Sequence, residues 1–284
     1  MLLATAASAQ MSSGFDSNKA WEHLRQQVAI GPRPSGTPAN VKNRDYIKAQ
    51  MAALGIKVVE QPFEGATPLG PVKMVNLIAT IPGKSADRIV LASHFDTKLF
   101  RDIRFVGASD GASSTAALIE LGRVLKARKE LPFTYELLFL DGEEAVIEWQ
   151  GTDNTYGSRH YVQAAQKSGS IKSLRALILL DMIGDRQLTI RRELNSTRWL
   201  TDIVWATAAK LGHKQFMNEE TTVEDDHIPF VKSGVPSLDI IDLDYPQWHT
   251  AQDTLDAVGA RSLQIVGDVV VASLPQIEQR LLKN

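Results

Sequence analysis

Apolar runs and amphipathic stretches alternate along almost the whole chain. Residues 17–30 and 37–54 carry apolar positions at helical spacing, with the Pro/Gly-rich segment GPRPSGTP between them, and predict two helices joined by a loop. Strand-like runs follow at IKVVEQPF (56–63), VKMVNLIATIP (72–82) and RIVLASHFD (88–96). A long helix is predicted over about 112–129, just after Asp110. Next come the apolar run YELLFLD (135–141), a loop with Trp149, a helix from about 156, and the apolar run LRALILLDMIG (174–184). A helix near 197–211, a short one from about 226, the strand VPSLDIID (235–242) and a terminal helix near 261–281 complete the series.

Several of these strands are apolar without interruption, which means a sheet buried on both faces. The pattern therefore predicts an α/β fold: one domain with a central, mostly parallel mixed sheet and helices on both faces. In such sheets ligands bind outside the carboxyl ends of the strands.

Charge and composition narrow the function. A formal net charge of −2 argues against a nucleic-acid surface or a polybasic membrane surface. No run approaches the roughly 18 apolar residues of a membrane span. Cysteine is absent, so any metal must sit on histidine and carboxylate ligands. The first residues, MLLATAASAQ, are small and apolar, and Ala7-Ser8-Ala9 resembles a signal-peptidase site. Residues 1–9 are expected to be a signal remnant, residues 10–284 the single catalytic domain, and the protein secreted or periplasmic.

Ligand-type residues gather where strands are predicted to end. They are His94 and Asp96 in ASHFD, Asp110 in VGASDGASS, Glu143 and Glu144 in LDGEEA, Asp181 in LLDMIG, and His249 in QWHTAQDT. Each alone has an ordinary explanation; Asp110, for example, could be the N-cap of the helix after it. Together, at one edge of a sheet, they fit a zinc ion. Asp110, Glu144 and His249 would supply two oxygens and one nitrogen, leaving a fourth position open. Adjacent side chains diverge, so Glu143 would instead exchange protons beside the metal.

This ordered set resembles the zinc-dependent aminopeptidase superfamily and, within it, the glutaminyl cyclases, from about residue 30 to the C-terminus. All five ligands of the two-metal aminopeptidases have counterparts, in His94, Asp110, Glu144, Asp181 and His249. The cyclase branch is indicated by the long segment AVIEWQGTDNTY before Gly157-Ser158-Arg159-His160, by Trp149 within it, by EDDHIPF (224–230), by Trp248 next to His249, and by Lys98 followed by FVGASD. Two positions depart from the animal cyclases: Asp239 stands where they commonly have histidine, and Glu224 where they have glutamine. Ser93 and Thr115 replace their cysteine pair, which indicates a bacterial-type member.

The resemblance implies cyclisation of N-terminal glutaminyl residues of peptides and proteins to pyroglutamyl, with release of ammonia, by a monomer holding one zinc. Glu143, Asp181 and Asp225 would be catalytic, and Trp149 and Trp248 would wall the substrate pocket. The alternatives are a two-zinc aminopeptidase and a metal-free binding module. Asp226 and His227 are expected to be structural, as are Trp21, Trp199 and Trp205 on helix faces.

Overall fold

A computed structural model describes residues 13–283. The expected signal remnant lies outside them. Eight strands and seven α-helices lie among these residues, the six predicted strands and the helices in the predicted order. The strands are β1 (Lys57–Thr67), β2 (Gly70–Ile81), β3 (Ser85–His94), β4 (Phe133–Leu140), β5 (Leu174–Asp181), β6 (Ile190–Glu193), β7 (Phe216–Thr221) and β8 (Ser237–Ile241). The helices are α1 (Ser17–Ile30), α2 (Pro38–Ala53), α3 (Ala112–Ala127), α4 (Tyr156–Ser168), α5 (Arg198–Leu211), α6 (His227–Lys232) and α7 (Ala260–Leu281).

The main sheet runs β1-β2-β4-β3-β5-β8. Its outer pairings, β1 with β2 and β2 with β4, are antiparallel, whereas β4, β3, β5 and β8 run parallel. The expected mixed, mostly parallel sheet is therefore present. Strand side chains alternate between faces, and the apolar runs divide accordingly. Leu91, Leu137, Ile178 and Leu238 join the larger core, packed with residues of α1, α2, α3, α5 and α7. Val90, Leu138 and Leu177 join a second core with Tyr161 and Val162 of α4 and Phe230 of α6. A run without polar interruption is what a strand sandwiched between two apolar layers requires. Trp205 is buried in the larger core, and Trp21 and Trp199 pack against it.

Helix starts are set by local chemistry. Asp16 caps α1 by accepting from the Asn18 amide at 2.9 Å, and Thr37 caps α2 ahead of Pro38. Helix α3 differs: its N-cap is Gly111, with no side-chain cap bond, so Asp110 is free for another role. The β6–β7 pair was not predicted. Its sequences, IRRE and FMNEET, are short, and β7 is largely exposed, so neither shows an apolar alternation.

Because β3, β4, β5 and β8 are parallel, their carboxyl ends open on one edge, and the loops there are tied by one buried cation. Arg33, fully buried, donates to the carbonyls of Phe95 (3.2 Å), Val106 (2.6 Å), Gly107 (3.2 Å) and Gly31 (3.4 Å). Burial lowers its pKa only to about 10, so it stays charged at neutral pH. It joins the segment after β3 to the loop leading to Asp110. Arg33→Met is expected to orphan these carbonyls and cost about 3 kcal/mol. Urea unfolding of the variant checks this; an unchanged midpoint would contradict it.

Candidate active site

Each candidate residue leaves the sheet at its carboxyl edge. His94 ends β3, Asp181 ends β5, and Glu143 and Glu144 follow β4 after the turn at Asp141 and Gly142. Gly142 has φ 76°, and a Cβ there would meet the Met74 sulfur at 2.6 Å, so the turn needs glycine. Gly111, φ 81°, is confined in the same way: a Cβ would lie 2.8 Å from the Asp96 carbonyl and 3.0 Å from the His94 ring.

Two ligand triads converge and share Asp110. One is Asp110, Glu144 and His249; the other is His94, Asp110 and Asp181. In the first, His249 Nε2 lies 3.4 Å from Asp110 Oδ2 and 3.3 Å from each Glu144 oxygen. In the second, His94 Nε2 lies 3.0 Å from Asp181 Oδ1 and 3.2 Å from Asp110 Oδ1. Asp110 Oδ2, Glu144 Oε2 and His94 Nδ1 are buried without a hydrogen-bond partner. Glu143 turns to the other side of His94, with Oε2 3.8 Å from Nδ1. The neighbouring glutamates diverge as the sequence required.

The charges are crowded. Burial, and then the nearby Asp110 charge, push the Glu144 carboxyl up to about 7. Burial would also raise Asp110, but the close His249 and His94 imidazoles outweigh it and hold it below the ordinary range. Burial would lower His249, yet the carboxylates of Asp110 and Glu144 against it raise it to about 9. Burial and the charges of Asp225 and Glu144 lift Glu143 well above its usual value, although His94 opposes them. Two buried carboxylates facing one imidazole, with orphaned oxygens between them, fit a divalent cation.

Other groups hold the ligands from behind. The Asp96 oxygens face the amides of Glu143 and Glu144 at 3.2 and 3.4 Å, so this residue braces the pair rather than joining either triad. Asp253 accepts from the amides of Ser109 (2.7 Å) and Asp110 (3.2 Å) and from the Tyr245 hydroxyl (2.6 Å). The Lys98 amide donates to Glu144 Oε1 at 3.1 Å. Neither Asp253 nor Arg33 was expected from the sequence, although Asp253 lies inside HTAQDT. Among the described residues three non-glycine residues have positive φ, and two are at the site: Met182 (46°), beside Asp181, and His249 itself (54°). Strain of this kind persists where surrounding contacts over-determine the backbone.

A cavity of about 570 Å³ opens over the triads. Asp110, Glu143, Glu144, Asp181, Asp225, Trp149, Trp248 and His249, all expected at a site, line it. Trp149 and Trp248 are 37% and 50% exposed, so they are not core aromatics. Trp248 stacks on the His249 ring at 4.3 Å, and Phe100 and Phe105 meet that ring edge-on at 5.7 Å each. The loop carrying Trp149 is organised by Asp153, which accepts the amides of Val146 (2.9 Å), Ile147 (2.8 Å) and Glu148 (3.0 Å).

Behind Asp225 lies a second buried cluster. His227 Nε2 is 3.2 Å from Glu193 Oε2, and its Nδ1 is 3.5 Å from Asp239 Oδ2. Asp226 accepts from the Ser158 hydroxyl and points away from the cavity lining. Asp226 and His227 are both buried, and His227 groups with Asp225 and Asp239 as a third set of ligand-type side chains. Of the two departures from the animal pattern, Glu224 lines the cavity and Asp239 is buried behind it. Ser93 and Thr115 lie within 3.2 Å of each other through their hydroxyls, so the pair faces across the β3–α3 contact.

Known proteins resemble this chain in sequence and fold. The pattern of peptidase family M28 matches residues 76–274. The glutaminyl-peptide cyclotransferase-like protein of Mus musculus is 34% identical over 270 residues, spanning 84% of this chain and 70% of its own. The crystal structure of Acidobacteriales bacterium glutaminyl cyclase is 41% identical and covers 98% of this chain and 100% of its own, with a TM-score of 0.91. A leucine aminopeptidase precursor from Bacteroides thetaiotaomicron superposes with a TM-score of 0.83 at 28% identity, covering 91% of this chain and 96% of its own. With the ligand set, the tryptophan-lined cavity and these likenesses together, the chain belongs to peptidase family M28 and, within it, to the glutaminyl-peptide cyclotransferases.

Proposed function

We propose that this chain cyclises the N-terminal glutaminyl residue of peptides and proteins to pyroglutamyl and releases ammonia. The observation that carries the reading is the cavity itself: the buried Glu143 carboxyl stands beside the ligand triad, and Asp181, Asp225 and the two tryptophans line the same space. Asp110, Glu144 and His249 would hold zinc, whose chemistry when bound is Lewis-acid polarisation of the γ-carbonyl oxygen.

The α-amine attacks the γ-carbonyl carbon of its own side chain. A ring C–N bond forms, the bond to the amide nitrogen breaks, and one proton must pass from the amine to the departing ammonia. Glu143 is the carrier. Its burial raises its proton affinity toward the working pH, where proton transfer is efficient. Asp181 and Asp225 hold the leaving amide by hydrogen bonds. Burial and the Asp181 charge push Asp225 up to about 6, in keeping with a proton shared between close carboxylates. Trp149 and Trp248 fold the glutamine side chain back on its amine. Ring closure is intramolecular, so this positioning supplies much of the rate.

The His94–Asp110–Asp181 triad supports a second reading, a two-zinc aminopeptidase. Its acceptance depends on metal stoichiometry and product. Given a glutaminyl dipeptide, the enzyme is expected to release one ammonia per pyroglutamyl formed with the peptide bond intact, and to carry one zinc. Free amino acid as the product, with two zincs bound, would replace the cyclase reading.

Glu143→Gln is expected to keep its zinc by elemental analysis while turnover falls by about 10²-fold or more. Loss of zinc from that variant would exchange the roles of the two glutamates.

Zinc should stabilise the protein more as pH rises. In the metal-free protein Glu144, raised to about 7, keeps its proton between its unfolded value and pH 7 while the unfolded chain has lost it, so stability declines as pH climbs through that window. His249, raised to about 9, contributes stability that is full below its unfolded value of about 6.5 and is lost toward pH 9. Both terms point the same way, and bound metal takes the place of these protons. The zinc-induced rise in Tm, measured by calorimetry, should be larger at pH 8 than at pH 5; an equal rise would rule out this linkage.

A further inference from the structure

Four carboxylates are buried around one imidazole at the back of the catalytic cavity. Glu193 ends β6, Asp225 and Asp226 lead into α6, His227 opens that helix, and Asp239 lies in the middle of β8. All five residues are less than a tenth exposed, and His227 and Asp239 are fully buried. Among the described residues none of the four acids forms an ion pair with a lysine or arginine; their one cationic neighbour in pairing range is His227.

Part of this cluster is satisfied. Glu193 accepts from the amides of Asn195 (2.9 Å) and Val223 (3.3 Å) and from the Ser196 hydroxyl (2.9 Å). The Ser196 oxygen in turn accepts from the Asp239 amide at 3.0 Å, which fixes β6 against β8. The side chains that face inward are not satisfied. Both ring nitrogens of His227, both oxygens of Asp239, and Asp225 Oδ2 are buried without a hydrogen-bond partner. His227 Nδ1 stands 3.5 Å from Asp239 Oδ2, and Nε2 stands 3.2 Å from Glu193 Oε2. One ligand atom each from Asp225, His227 and Asp239 lie within 4.8 Å of one another. Buried acceptors turned toward each other are costly unless a cation stands among them.

We propose that Asp225, His227 and Asp239 form a further divalent-cation site. It shares no residue with the Asp110–Glu144–His249 or the His94–Asp110–Asp181 triad. His227 ligates through Nδ1, and Glu193 stands against the other ring nitrogen as the carboxylate that orients a metal-bound imidazole. Carboxylate oxygens with a single imidazole suit an ion of the manganese class. Asp225 lines the catalytic cavity, so that cavity is the ion's way in. Once bound, the ion holds in place the carboxyl that borders the substrate space. The assignment stands on these side chains and does not rest on the cyclase reading.

The test is equilibrium dialysis of the zinc-loaded enzyme against Mn2+, with both metals counted by elemental analysis and manganese followed by electron paramagnetic resonance. Wild type should keep its zinc and take up one manganese. Asp239→Asn, nearly the same shape, should keep the zinc and lose the manganese. Glu193→Gln, a milder change, should bind Mn2+ about 10- to 100-fold more weakly. His94→Gln, which breaks the other triad, should hold manganese as wild type does. Mn2+ should also raise the Tm of wild type and leave that of Asp239→Asn unchanged. No manganese in wild type would overturn the site and leave protons to balance the cluster. Manganese lost from His94→Gln but kept by Asp239→Asn would assign the ion to the His94–Asp110–Asp181 triad instead. Manganese kept equally by every variant would mean an adventitious ion only. Metal content is read apart from ammonia release, so the site and the cyclase reading fail separately.

Discussion

Negative charge buried at the carboxyl edge of the sheet is the constraint from which the site follows. Asp110, Glu143, Glu144, Asp181 and Asp225 are each less than a tenth exposed and line one cavity. Carboxylates cannot be desolvated together without donors, protons or a cation to balance them. His94 and His249 supply part of the balance, each reaching two acidic residues within 3.4 Å. The oxygens of Asp110 and Glu144 that lack hydrogen-bond partners mark where the balance is incomplete. That deficit is a physical reason to expect a divalent ion, independent of any family likeness.

A second group of acids solves the same problem differently. Asp96, Asp153 and Asp253 accept backbone amides from the loops that present Glu143, Trp149 and Asp110. Asp141 accepts from Ser35, Asn40 and the Val75 amide, tying the turn before Glu143 to the start of the chain. Arg33 is the mirror image, a buried cation satisfied by carbonyls. These loops are therefore rigid by charge-assisted hydrogen bonds, and the groups that face the cavity inherit that rigidity. The His227–Glu193–Asp239 cluster gives Asp225 a similarly buried backing.

The fold by itself does not choose between cutting a peptide and cyclising its first residue, because an aminopeptidase precursor shares it closely. Function resides in the site grafted on the scaffold. Here the distinguishing parts are the segment after Glu144 and the aromatic wall of Trp149 and Trp248. They wall the cavity that lies over the ligand triads. The two tryptophans come from separate loops, one organised by Asp153 and the other stacked on His249.

Uninterrupted apolar runs such as ALILL, which only a sheet covered on both sides can bury, made the α/β layers and the strand ends readable from the sequence alone. Once those ends were located, the acidic and histidine residues at them were readable as one site, since parallel strands deliver their last residues to one edge. The weakly patterned β6 and β7 escaped because β6 is only four residues long and β7 is largely exposed, so neither carries a period to detect. Asp110 was open to a capping reading in the sequence; only the fold put Gly111 at the cap and turned Asp110 toward two imidazoles. Asp96 looked like a ligand until the β3–β4 register set its oxygens against two amides, and Arg33 and Asp253 gave no sign of their roles. Residue type and spacing determine which groups arrive at the edge; which of them face the cavity and which brace it depends on hydrogen bonds between segments up to 144 residues apart, which no local pattern encodes.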